Sequence, residues 1–158
     1  MRVEPPVSAL RFWSAFLAVS VLAALIIPPL IFLACLLMAD FSLSPAWNAV
    51  VDQYGQTRQN PFLISVLGYL PVLLLALVVA LIRWRKGHSI ATYMATTGGL
   101  AITFILVWTN FEFWPNFLPG KTYPGFPHGL EIVIGSIFFA PAAMILALLV
   151  TGIYLRSR

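Results

Sequence analysis

The sequence predicts an all-α integral membrane protein: a four-helix transmembrane bundle with both termini cytoplasmic and a short amphipathic interfacial helix in the first outer loop. Three observations predict it. Of 158 residues, 61% are hydrophobic and 9% are charged, against roughly 45–50% and about 25% in a soluble domain. The charges leave four uncharged stretches: 28 residues between Arg11 and Asp40, 24 between Arg58 and Arg83, 25 between Lys86 and Glu112, and 24 between Glu131 and Arg156. Finally, the basic residues are segregated among the segments that join those stretches.

A helix needs about 20 apolar residues to cross about 30 Å of hydrocarbon. All four stretches meet that length. No stretch alternates polar and apolar residues as a barrel strand does, and a helix satisfies its own backbone N–H groups where no water can. Orientation follows from Lys and Arg. Arg2, Arg11, Arg83, Arg85, Lys86, Arg156 and Arg158 fall on one side, and Arg58 and Lys121 on the other. Asp40, Asp52, Glu112 and Glu131 accompany the smaller basic set. Residues 1–158 are therefore read as one four-span domain in the bacterial inner membrane. The spans are about 12–39, 61–82, 88–111 and 132–155, the outer loops 40–60 and 110–131, and the cytoplasmic loop 83–87.

Span one is long for a membrane crossing and carries Pro28-Pro29 at its middle, where two helical hydrogen bonds are lost and a kink is expected. Its apolar run is about twice the length of a signal-peptide core and is expected to be retained. Loop one carries the interfacial helix. Ser44-Pro45 has the form of a helix start. Trp47, Val50, Val51 and Tyr54 then form an apolar face opposite Asn48, Asp52, Gln53 and Gln56. Span two contains Pro71. Span three opens with hydroxyl-bearing residues, and Ala91, Ala95 and Gly99 form a small-residue stripe suited to close helix packing. Ser136 and Ala140 form a second such pair in span four, which also contains Pro141.

Loop two holds four prolines and three glycines between Asn110 and Gly129, which forbid regular structure over most of it. Its aromatics Phe113, Trp114, Phe117, Tyr123 and Phe126 join Trp47 and Tyr54 as candidate contacts to lipid or to a partner. An aromatic belt at the headgroup level accounts for them equally well.

Several chemistries are excluded. The single cysteine, Cys35, makes neither an internal disulfide nor a CxxC pair. His88 and His128 belong to opposite ends of the spans, so no haem is bridged between them. No span interior holds an ionisable residue, which argues against an autonomous pump. Nucleotide-binding, zinc-protease and serine-nucleophile signatures are absent. The catalytic aspartates of the lipoprotein signal peptidase are also missing. The net charge of +4 is topological, so nucleic acid is not an expected partner. No metal and no cofactor is expected.

One polar constellation remains. Glu112, His128 and Glu131 lie in or beside loop two. A carboxylate with a histidine could perform acid–base work at the membrane surface, although boundary charges solvated by headgroups are the simpler account. The expected function is a non-catalytic integral subunit or accessory factor of a larger membrane complex, with membrane lipids and other integral subunits as partners. The alternatives are a membrane-surface enzyme acting on a lipid or isoprenoid, and a toxin-immunity-type membrane protein.

Overall fold

A computed structural model describes residues 9–56, 59–86, 88–118 and 130–157. Every element in it is helical, and no strand occurs among the described residues. In chain order these are α1 (Ala9–Met38), α2 (Leu43–Gln56), α3 (Gln59–Lys86) and α4 (His88–Phe113). A 3₁₀ turn follows (Trp114–Phe117), then α5 (Leu130–Ile134), a π-helical turn (Gly135–Phe139) and α6 (Ala140–Arg156). Three rods are long and apolar enough to cross a membrane: Leu67–Arg85, Ser89–Asn116 and Leu130–Arg156. A further helix, α1, has 30 residues and runs through Pro28 and Pro29 without a break in its assignment.

α3 and α4 lie against each other, and each also touches α1 and α6; the most extensive contact joins α4 to α6. That contact includes a hydrogen bond: Thr151 Oγ1 donates to Thr97 Oγ1 at 3.1 Å, while Thr97 donates to the carbonyl of Tyr93 at 3.0 Å. Hydroxyls that bond within and between helices in this way satisfy their own polar groups where hydrocarbon offers none.

Two cores divide the molecule. The first gathers Leu75, Val79, Ala91, Ala95, Ile102, Ala140 and Met144 from α3, α4 and α6. Ala91 and Ala95 of the small-residue stripe are thus buried, as are Ser136 and Ala140. Gly99 is only half-buried, and the neighbouring Gly98 makes the close approach. A Cβ on Gly98 would come within 2.5 Å of a Leu75 methyl. The second core gathers Ile31, Phe32, Cys35 and Leu36 of α1, Ala46 and Val50 of α2, Phe113, Trp114 and Ile132. It marks what we term the α2 end.

The joint between α1 and α2 shows why they fold together. Asp40 has φ 62°, the left-handed region that short polar residues tolerate. The amide of Asp40 donates to the carbonyl of Leu37 and that of Phe41 to the carbonyl of Leu36, both at 3.2 Å. This pair is a Schellman cap, which satisfies carbonyls that the helix end leaves open. Two residues later α2 begins, with the Ala46 amide donating to the Ser42 carbonyl at 3.1 Å. The helix therefore starts ahead of Ser44, which lies inside the first turn and not at the cap position expected from the sequence.

Candidate functional site

α2 rests on α1 through Ala46, which is fully buried, and Val50, with Ala49 and Tyr54 partly buried beside them. Trp47 and Val51, expected on the same apolar face, are about half exposed, at 54% and 50%. The smallest side chain sets the face: Ala46 lets the α2 backbone approach α1 closely, and that rotation turns Trp47 outward.

Phe113 and Trp114 also differ from the expected outward aromatics. Both are buried, and Trp114 has no exposed surface. Its ring stacks on Phe32 with centroids 4.6 Å apart and meets the edge of Phe113 at 5.0 Å. Tyr54 lies at 6.3 Å. The indole Nε1–H donates to Asn110 Oδ1 at 3.0 Å, and Asn110 Nδ2 donates to the carbonyl of Leu106 at 2.7 Å. The rings are held inside because the indole has its one polar partner there. The Tyr54 hydroxyl is buried without a hydrogen-bond partner among the described residues, and burial pushes its phenol above the ordinary value.

Beside this plug lies a pocket of about 540 Å³ between α4 and the rod that begins at Leu130. α4 contributes Trp108, Thr109 and Glu112; α5 contributes Leu130, Glu131 and Ile134; the π turn contributes Phe139. Two of the carboxylates singled out in the sequence thus line one cavity. Glu112 is exposed and Glu131 half-buried. Glu131 occupies the first turn of α5, where the helix dipole favours a carboxylate. The rings of Trp108 and Phe139 face each other across the apolar wall at 6.1 Å.

The π turn shapes that wall. Pro141 has no N–H, and its ring opposes the carbonyl four residues earlier. The backbone ahead of it widens, so the Ala140 amide donates to the carbonyl of Gly135, five residues back. Gly135 is pressed against Thr109, and any Cβ there would overlap the threonine side chain. Ser136 is fully buried, with its hydroxyl unpartnered among the described residues. Wide turns of this kind are rare and frequent at functional sites.

His128, Tyr123 and Phe126 lie outside the described residues, as does the side chain of Phe117. Among the described residues no three His, Cys, Asp or Glu side chains come together. No protein-family model, curated protein or solved structure matches the chain. Its chemistry is therefore read from its own residues. Two carboxylates in the lining of one mostly apolar cavity can accept hydrogen bonds or exchange a proton with a bound group.

Missed by sequence reasoning were Trp108, Thr109 and Phe139. Each sits inside an apolar run with no local mark. Only Pro141 hinted at a disturbed turn nearby.

Proposed function

We propose that the chain is a four-span protein of the bacterial inner membrane, with both termini cytoplasmic, and serves as a non-catalytic subunit or accessory factor of a larger membrane complex. One observation supports this most. On the flank of α4, Thr92, Thr96, Gly99 and Thr103 are spaced four, three and four apart along a single helical line. Thr92 and Thr96 are exposed, and Gly99 and Thr103 half-buried. Thr96 donates its hydroxyl to the carbonyl of Thr92 at 3.0 Å, so the stripe tolerates apolar surroundings. A small, hydroxylated line of this kind lets a second helix approach closely where lipid tails offer no hydrophobic drive.

Thr96→Leu and Gly99→Leu together test the reading. After mild detergent extraction the parent chain co-purifies with partner chains, and the double variant is recovered at equal yield without them. An equal partner profile for parent and variant refutes it. Reporter fusions after Arg85 and Lys121 test the topology and should fall on opposite sides of the membrane.

A second reading has an observation of its own. Glu112 and Glu131 line one pocket, as a membrane-surface enzyme acting on a lipid or isoprenoid would require. It predicts that Glu112→Gln, Glu131→Gln and His128→Ala each remove turnover while protein levels hold. Undiminished turnover in all three sinks it.

A further inference from the structure

The end of the bundle away from α2 is built differently from the α2 end. Along α3, Leu74, Leu77 and Leu81 are exposed and recur three and four residues apart, so they share one face of the helix. Leu75 and Val79 turn inward and are buried. The exposed face runs on into Trp84 and Arg85. α6 repeats the pattern: Leu146, Leu149 and Ile153 are exposed at the same spacing and lead to the exposed Arg156. From Leu74 to Arg85, or from Leu146 to Arg156, each column measures about 15–16 Å. One leaflet contributes half of a hydrocarbon layer about 30 Å thick. Two of the three membrane-crossing rods thus carry an apolar column of one leaflet's depth that ends in an arginine. Both columns reach the same level. A Cβ on Gly98 would meet methyl groups of Leu75 and of Leu148, so α3 and α6 are in register there. Both helices run away from the α2 end, and Arg85 and Arg156 follow about 15 and about 12 Å further on. The two arginines therefore lie within one helical turn of a common depth.

We propose that this end of the bundle recruits anionic phospholipid, with headgroup phosphates at Arg85 and Arg156 and acyl chains along the two columns. Charge selects the lipid. No Asp or Glu stands between Arg58 and Glu112 or after Glu131. The sequence assigns seven basic residues to this end against one acid, Glu4, so pairing of Glu4 with any one of them leaves a large surplus. A surface of that sign attracts a head with net negative charge. A zwitterionic head also offers a phosphate, but it brings a cation that the surplus repels. Arginine donates two parallel N–H bonds to a phosphate, and its stem covers apolar surface while its head stays at the interface. Trp84, at 82% the most exposed large apolar side chain among the described residues, adjoins Arg85 where an indole favours the headgroup level. The α2 end has the opposite balance, with four acids against Arg58 and Lys121. The inference needs only that the rods cross a bilayer. It does not depend on the subunit reading or on which side of the membrane this end faces.

The test uses the full chain alone, in vesicles of equal parts phosphatidylcholine and phosphatidylglycerol. In one preparation the phosphatidylglycerol is brominated high on an acyl chain, and in the other the phosphatidylcholine. Bromine quenches a tryptophan on contact, and the Trp84 signal is the difference between the parent and Trp84→Phe. Quenching is expected to correspond to about a fivefold excess of phosphatidylglycerol at Trp84, the attraction of one interfacial basic residue for an anionic surface. Concentrated salt should bring the ratio toward one, because exposed charges are screened. Arg85→Gln with Arg156→Gln should lower the excess, and Arg85→Lys with Arg156→Lys should keep most of it, at equal helix content by circular dichroism. The salt series needs no charge substitution, so a variant that fails to fold does not remove the test. Equal quenching of the parent by both lipids overturns the proposal. So does an excess that neither salt nor the double glutamine variant changes. Quenching of Trp84 by neither lipid also overturns it, since something other than lipid then covers this end. The vesicles hold no partner chain, so none of these results bears on the subunit reading.

Discussion

Replacing Trp114 by alanine should unfold the α2 end before the rest of the molecule. The side chain is fully buried, with ring contacts to Phe32 and Phe113 and one hydrogen bond to Asn110. Each aromatic pair contributes about 0.5–1.5 kcal/mol beyond burial. A net hydrogen bond contributes about 0.5–1.5 kcal/mol. The remaining loss is the cavity, since Phe32, Phe113 and Tyr54 cannot all collapse into it. Measured Trp→Ala substitutions in cores cost about 3–5 kcal/mol, and the contacts here support the same range. Trp114→Phe keeps most of the packing but strands the Asn110 oxygen, which costs about 1–3 kcal/mol. The assay is reversible unfolding in mixed micelles with increasing denaturing detergent, followed by circular dichroism. Trp114→Phe combined with Asn110→Leu should recover part of the Trp114→Phe loss, because no stranded oxygen remains. A Trp114→Ala cost below about 1 kcal/mol, a value typical of peripheral positions, would refute the burial argument.

Tyr54→Phe should raise stability by about 1 kcal/mol by removing a buried hydroxyl without a partner, read as a higher melting temperature. The Tyr54 phenol is raised in the fold. The unfolded chain therefore loses its proton first, near the ordinary value of about 10. Stability is full below that pH and falls as pH climbs above it toward the folded value, so the gap between Tyr54→Phe and the parent should widen in alkaline melts and stay constant below about pH 9. Gly135→Ala should cost about 1–3 kcal/mol through overlap with Thr109; an added Thr109→Ala should restore much of it, and additive costs in a double-mutant cycle would argue against the contact. Asp40→Gly should gain about 0.5–1 kcal/mol because glycine adopts the left-handed cap without strain, and Asp40→Val should lose more than that; equal melting temperatures for the two would refute the cap.

The helices were legible because an uncharged run of more than 20 residues has few other ways to satisfy its backbone in hydrocarbon. The faces were less so. Along α2, hydrophobicity marks Trp47 and Val51 as strongly as Val50. The close approach at Ala46 decides which side packs, and an alanine carries no visible signal. The position of Trp114 depends on Phe32, a residue far off in sequence, so an aromatic-rich loop looked outward when two of its rings are inward. Glu112 and Glu131 were nominated because one loop joins them, and the contact between α4 and α5 gives that nomination its geometry. The walls of the pocket were illegible, since Trp108 and Phe139 resemble any other apolar position until the rods are placed side by side.

The π turn at Gly135–Phe139 acts as a change of phase. In an α-helix each residue advances the azimuth by about 100°, so one surplus residue in a turn offsets everything after it by about that angle. Glu131 and Thr151 stand on the same rod, yet one addresses the pocket and the other reaches Thr97. The wide turn sets the angle between those two duties. Deleting a single residue there would straighten the register and leave the rod able to keep one alignment only. The span thus behaves as two screws cut with the same pitch but started at different points, and residue number, more than residue type, is what this part of the chain has least freedom to change.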